Sequence, residues 1–248
     1  MIRLLPQASD IFERNSIYKS RYSAITLIAI ASLSLTLGGC GNTPPSPDWL
    51  LNADSSLKSF AQAHLTGNTP VAEFEFRRAQ REVSATGQPV LLLRTELTRC
   101  AVRQASLELD ECPAAKALIP DAPATEQAYA SYLRGAPLSI EQTALLPEAH
   151  RQALASADDG ARIATLQTIT DPLTRLIAAS VMMRRNALPP EGVAVAVDTA
   201  SEQGWRRPLL AWLGVQLKIA QAAGQSQEVA RIQRRIAVAL DGKPFLAP

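Results

Sequence analysis

The chain has 248 residues, with 25 Lys and Arg, 23 Asp and Glu, two His and three Cys. A net charge of +2 provides no field to attract nucleic acid, and 47% apolar residues are too many for a disordered chain. Three Cys are too few for a small disulfide framework, and two His leave little for a metal centre. Ala occurs 41 times and Gly 12 times, which favours a helical chain over a sandwich or barrel.

The segment 1–39 is typical of a secretion signal. Basic side chains precede an apolar run at 24–37, which is long enough for a signal-peptide core and too short for a membrane span. The run ends at Leu37-Gly38-Gly39-Cys40, which resembles the lipobox of bacterial lipoproteins. The resemblance implies cleavage between Gly39 and Cys40, a diacylglyceryl group on the Cys40 thiol, and an acyl chain such as palmitate on the new amino terminus.

The residues after the predicted cleavage site bear on location. Gly41 stands where an inner-membrane retention signal would place Asp, so the resemblance implies an outer-membrane lipoprotein facing the periplasm. Two or three acyl chains hold a protein on a membrane stably, whereas one binds only marginally. The Pro-rich stretch 40–47 disfavours helix and strand and predicts an extended tether. The alternatives are an ordinary signal peptide or a membrane-anchoring helix, with an incidental Cys40.

Residues 48–248 are predicted to form a single all-helical domain. The mature chain 40–248 has 21 basic and 21 acidic residues, so its net charge is zero and the +2 of the whole chain comes from the signal peptide. The net charge is therefore no evidence for an anionic partner. Pro and Gly recur in the domain at spacings of about one helix length, which predicts about ten helices of 8 to 19 residues. At one such junction, Gly67 is predicted to end a helix, Thr69 to cap the next, and Pro70 to occupy its first position.

The helices are predicted either to stack as an α-solenoid or to form an irregular bundle. The stretches 60–67 and 129–135 both look like the small-residue helix end of a tetratricopeptide repeat, and the spacing of Gly67 and Gly135 is near two repeat periods. The chain therefore weakly resembles tetratricopeptide-like proteins. A further stretch, Val193, Val195 and Val197, alternates as a strand would, but its alternate residues are mostly Ala and favour helix.

With Cys40 lipidated, Cys100 and Cys112 remain as an even pair in an oxidising compartment. Their spacing suits a helix end bridged to the start of the next segment, and predicts a structural disulfide. Two buried free thiols are the alternative. A redox role would favour the Cys-x-x-Cys spacing, which this pair lacks.

Charge is unevenly distributed. Residues 104–160 have a net charge of −6 and residues 203–248 a net charge of +5. Such runs are usually solvated helix faces; the alternative is that the two segments contact a charged partner or each other. Arg231, Arg234 and Arg235 lie on the polar side of the last predicted helix and form a candidate partner surface. Trp205 and Trp212, which share a helical face, are interpreted as core residues rather than a ligand stack.

No catalytic motif is recognisable, so the chain is predicted not to be an enzyme and to need no metal or cofactor. His64 and His150 lack neighbouring ligands at metal-site spacing, and we interpret them as surface or packing residues. Glu126, Glu141 and Glu148 lie in polar contexts that give no reason to select a pair for glycoside chemistry.

Two function hypotheses of different classes remain. The first is a non-enzymatic lipoprotein whose helices bind another envelope protein, as an assembly factor or accessory subunit would. The second is a protein that acts on or binds peptidoglycan. A groove with two facing carboxylates would favour the second hypothesis.

Overall fold

The computed structural model describes residues 46–241, and this range forms twelve helices without a strand. In chain order they are α1 Asp48–Thr66, α2 Thr69–Ser84, α3 Pro89–Ala105, α4 Pro113–Lys116, α5 Ala124–Leu133, α6 Ile140–Ala144, α7 Glu148–Ala155, α8 Asp159–Thr168, α9 Pro172–Arg184, α10 Pro190–Glu202, α11 Arg206–Ala222 and α12 Ser226–Asp241. The all-α fold class is confirmed. The predicted signal peptide 1–39, including Gly39, and the predicted lipidation site Cys40 lie outside the described residues.

The end of α1 follows from the conformation that glycine allows. Gly67 has a φ of 92°, in the left-handed region, and its N–H donates to the His64 carbonyl at 3.0 Å. The next N–H, of Asn68, donates to the Ala63 carbonyl at 2.8 Å. These two bonds satisfy carbonyls that the last helical turn would otherwise leave unpaired. The predicted helix end at Gly67 is confirmed.

The start of α2 differs from the prediction by one residue. Asn68, rather than Thr69, caps the helix, because its side-chain oxygen accepts a hydrogen bond from the Val71 N–H at 3.4 Å. Thr69 is already the first helical residue, and Pro70 therefore occupies the second position. Proline is tolerated in the first turn because the first N–H groups of a helix have no acceptor within it.

The core is organised around α3, which contacts α1, α2, α4, α5 and α9. Buried apolar residues from these helices and from α8 and α11 meet in one cluster. Its largest fully buried side chains include Phe60, Leu65, Phe76, Leu93, Leu97, Tyr132, Leu133, Leu166, Leu173, Leu176 and Trp212. The valines at 193, 195 and 197 lie in α10, so the helical interpretation of that stretch is confirmed.

The late helix α11 packs against α1, as well as against its chain neighbours α10 and α12. The Trp212 side chain of α11 is fully buried, and its Nε1–H donates to the Ala105 carbonyl at the end of α3 at 3.0 Å. Trp205, just before α11, is also buried. Both tryptophans are thus core residues, as predicted. α11 thus brings a late part of the chain against the first described helix.

Candidate functional site

Cys100 and Cys112 lie together, as the sequence predicts. Their Sγ atoms are at disulfide bonding distance and their Cα atoms are 5.9 Å apart. Cys100 is buried near the end of α3, and Cys112 is partly buried immediately before α4. The pair closes the connecting segment 106–112, which we call the disulfide loop. Cys112 has a φ of 50°, and its N–H donates to Oδ1 of Asp110 at 3.0 Å.

The disulfide loop brings two carboxylates to the end of α3. Nε of Arg103 donates to Oε2 of Glu108 at 2.9 Å, and Nη1 of Arg103 lies 2.5 Å from Oδ2 of Asp110. A second arginine, Arg207 of α11, places its Nη1 3.2 Å from Oε1 of Glu108. We call this set, together with His64, the charged junction. In one pair, Arg207 with Glu108, the basic segment 203–248 meets the acidic segment 104–160, which was the alternative to solvated helix faces.

Arg207 connects three separate parts of the chain. Besides its contact with Glu108, its Nε donates to the His64 carbonyl at 2.7 Å and its Nη2 donates to Oγ1 of Thr69 at 2.6 Å. One guanidinium therefore satisfies a carbonyl at the end of α1, a hydroxyl at the start of α2 and a carboxylate of the disulfide loop. The planar, multivalent guanidinium suits this task, which a lysine ammonium would meet only in part.

His64 is buried beside the charged junction. Its Nε2 lies 3.4 Å from Oε1 of Glu108, but the two atoms are not aligned for a hydrogen bond. Burial lowers the pKa of His64 to about 4; Glu108 opposes this shift, and the charges of Arg207 and Arg103 add to it. Burial also favours a raised pKa for Glu108, but its hydrogen bond from Arg103 and the nearby positive charges lower that pKa overall. Near neutral pH the junction therefore holds a neutral imidazole and an ionised carboxylate.

Another arginine, Arg184, contacts the disulfide loop near Cys112. Arg184, at the end of α9, donates through Nη2 to Oε1 of Glu111 at 2.9 Å and through Nε to the Arg134 carbonyl at 3.2 Å. Its neighbour Arg185 donates to the Ala136 carbonyl at 3.1 Å. Arginines of α9 and α11 thus hold the loop against helices far away in the sequence. Beyond the charge asymmetry, no sequence pattern indicated these partners.

A buried aromatic cluster lies between α5 and α7. The His150 ring centroid is 4.6 Å from that of Tyr132 and 5.8 Å from that of Tyr129. Burial lowers the pKa of His150 to about 4 and raises those of both tyrosines. Within the described part of the chain, the Tyr132 hydroxyl and Nδ1 of His150 are buried without a hydrogen-bond partner. Both histidines are thus packing residues, in agreement with one of the predicted roles.

The three glutamates considered for glycoside chemistry have different environments. Glu126 is buried, and its Oε1 accepts from Nε of Arg94 at 2.6 Å. Glu141 is exposed and accepts a hydrogen bond from the Ser139 hydroxyl, which lowers its pKa. Glu148 begins α7 and accepts from the Gln152 amide at 3.0 Å. Neither the depression between α11 and α12 nor the small one beside Cys112 is lined by Glu126, Glu141 or Glu148.

One group of potential metal ligands occurs among residues 46–241. Ligand atoms of Cys100, Asp110 and Cys112 all lie within 4.8 Å of one another. The two sulfur atoms are joined to each other, and Asp110 is paired with Arg103. Metal binding requires free thiolates, so this disulfide form does not provide a metal-ligand set.

The predicted partner surface lies on α12. Arg231 and Arg234 are exposed and Arg235 is partly buried. Arg231 pairs with Glu228 at 2.6 Å, which lowers the pKa of Glu228. Exposed apolar side chains accompany the arginines, with Val238 at 52% and Leu240 at 57% exposure. A shallow depression of about 300 Å³ lies where α11 meets the start of α12, and it is lined by Gln221, Gly224, Ser226, Val229, Ala230 and Gln233.

None of the described helices is both long enough and apolar enough to span a membrane. The chain matches no protein-family model, no curated protein and no solved structure.

Proposed function

We propose that this chain is an outer-membrane lipoprotein, anchored by acyl chains on Cys40, whose helical domain binds another envelope protein as an assembly or accessory factor. The anchor rests on the lipobox resemblance of residues 37–40. The observation that carries the binding role is the solvent side of α12, where Arg231, Arg234 and Val238 are exposed together. The partner we infer has an acidic surface with an apolar centre.

The spacing on α12 places basic and apolar groups on one side of the helix. Arg231, Arg234 and Val238 follow each other at intervals of three and four residues, which share a helical face. Among the side chains that the structure describes, Arg231 pairs with Glu228, and Arg234 has no carboxylate within 4.0 Å. Arginine next to apolar area is a combination enriched in the energetically important parts of protein interfaces.

The anchor is tested by replacing the proposed lipidated thiol. The Cys40→Ser variant should lose incorporation of labelled palmitate and leave the membrane fraction, because serine cannot form the thioether. A Cys112→Ser variant, which leaves Cys40 intact, is the matched control and should retain the label. Persistence of the label in Cys40→Ser would refute the lipid assignment.

The partner surface is tested by photo-crosslinking in the native envelope. A crosslinker at Val238 should give one reproducible adduct, whereas a crosslinker at the exposed Gln152 of α7 should not give that adduct. Reversing the charge of Arg231 and Arg234 to Glu should weaken the adduct about tenfold or more, because an acidic partner then meets like charge. An unchanged adduct after charge reversal would contradict the proposal.

The peptidoglycan hypothesis makes a different prediction for the same purified domain. Cosedimentation with purified sacculi should leave the domain in the supernatant if its partner is a protein. Saturable sedimentation that survives the Arg231 and Arg234 reversals would replace the proposed function with peptidoglycan binding.

A further inference from the structure

The outer side of α2 has an unusual composition for a solvent-facing helix. Phe74 is 53% exposed, although a large aromatic side chain is normally buried. Arg77, Arg78 and Arg81 are all exposed. The three arginines follow Phe74 by three, four and seven positions, opposite the buried face formed by Ala72, Phe76, Ala79 and Val83. We call Phe74, Arg77, Arg78 and Arg81 the α2 outer face.

The carboxylates of α2 lie to the side of this face. Glu75 and Glu82 are partly buried, and Glu75 reaches Arg78 only at 4.0 Å. Glu73 points toward α3, where its two oxygens accept from Nη2 of Arg99 at 3.0 and 3.1 Å. In the described part of the chain, Arg77 and Arg81 have no carboxylate within 4.0 Å. The face is therefore a cationic surface with one apolar side chain and no acidic group of its own.

The position of α2 relative to the tether follows from the α1 and α2 hairpin. A two-residue connection joins the helices, which pack against each other, so the end of α2 lies beside the start of α1. At 1.5 Å per residue, α1 is about 28 Å long and α2 about 24 Å. The eight residues 40–47 precede α1 and reach at most about 29 Å. The Arg77 to Arg81 end of α2 is thus the end that the proposed anchor places nearest the bilayer.

We propose that the α2 outer face lies on the anionic phospholipid surface of the membrane to which the chain is anchored. This inference rests on the proposed function, because the tether selects a bilayer over other anionic partners. Guanidinium groups bind lipid phosphates with two parallel hydrogen bonds, and an aromatic side chain enters the boundary between headgroups and acyl chains. Together they would orient the domain and leave α12, a separate helix packed against α11, for the protein partner.

The test uses the mature chain with Cys40→Ser, so that binding does not depend on acylation. This unlipidated chain should float with vesicles that contain phosphatidylglycerol and not with vesicles of phosphatidylcholine alone. Replacing Arg77, Arg78 and Arg81 by Gln should weaken binding about a hundredfold, since each basic residue near an anionic surface contributes about a fivefold effect. Phe74→Ser should weaken binding to the same vesicles about tenfold.

The matched control replaces Arg231, Arg234 and Arg235 by Gln, which removes the same charge from α12. That variant should bind vesicles within about threefold of the parent, because its arginines lie on another helix. Equal loss in both triple variants would show a net-charge effect and overturn the inference, as would equal flotation with both vesicle types. Binding of the α2 outer face to an acidic protein, with no flotation, would also overturn it. The proposed function can fail separately, because it depends on palmitate labelling and on the α12 adduct.

Discussion

Burial keeps the imidazole of His150 neutral at pH values where a free histidine is protonated. Its pKa of about 4 lies below the ordinary value of 6.5. Between these two values the unfolded chain takes up a proton that the folded chain does not, so stability falls as the pH decreases. The contribution is present in full above pH 6.5 and is lost progressively toward pH 4. His64, whose pKa is lowered in the same direction, adds to this loss.

We therefore predict that His150→Phe makes stability less sensitive to acid. The aromatic ring should retain the contact with Tyr132 while removing the titrating group. Between pH 7 and pH 4.5 the variant should lose about 2 to 3 kcal/mol less free energy of unfolding than the parent. Urea unfolding followed by circular dichroism measures this difference. Parallel pH profiles for the two proteins would show that His150 titrates normally in the fold.

Gly67, at the end of α1, has a left-handed backbone conformation that residues with a side chain rarely adopt. Gly67→Ala should destabilise the domain by about 1 to 2 kcal/mol, because φ is 92° and an added Cβ would lie 3.2 Å from Nη2 of Arg206. Gly214, inside α11, has open space around its Cβ position and is the matched control. Gly214→Ala should be neutral or stabilising by up to about 1 kcal/mol. Equal effects at the two positions, measured by urea unfolding, would contradict this argument.

At the scale of elements, the disulfide loop holds α3 to α4 and presents carboxylates to two distant helices. In the chain-entropy description, closing a loop of this length stabilises the fold by about 3 kcal/mol. The Cys100→Ala, Cys112→Ala double variant should therefore unfold at a lower urea concentration, by about that free energy. Alkylation without reductant should label neither thiol in the parent protein. Two labelled thiols in the native protein would refute the pairing.

The helices and most of their boundaries could be predicted from local sequence alone. Pro and Gly marked most of the boundaries, because proline is tolerated only in the first turn of a helix and glycine adopts the left-handed end. About ten helices were predicted and twelve are present in residues 46–241. The difference includes α4 and α6, with four and five residues, which are too short to show an apolar period.

At the scale of the whole molecule, Arg207 joins the late helix α11 to α1, α2 and the disulfide loop. Arg207→Ala should destabilise the domain by about 2 to 4 kcal/mol, because it removes three hydrogen bonds of a charged donor. Their acceptors are the His64 carbonyl, the Thr69 hydroxyl and Oε1 of Glu108. Arg207→Lys should recover part of this loss, since an ammonium can meet only some of the three acceptors. Arg162→Ala is the control, because its partner Asp159 lies on the same helix and is largely exposed.

The measurements for Arg207 are urea unfolding and amide hydrogen exchange. Exchange should increase in both α1 and α11, although one is the first helix of the described chain and the other the last but one. Faster exchange confined to α11 would show that Arg207 does not couple α11 to α1.

Local sequence determined the helical class, most helix boundaries and the pairing of Cys100 with Cys112, because periodicity, capping and short loops act over few residues. The packing of distant helices decided that Arg207 meets Glu108 and His64, and that His150 is buried against Tyr132. These contacts depend on how buried faces match across long sequence separations, and no local pattern encodes that match.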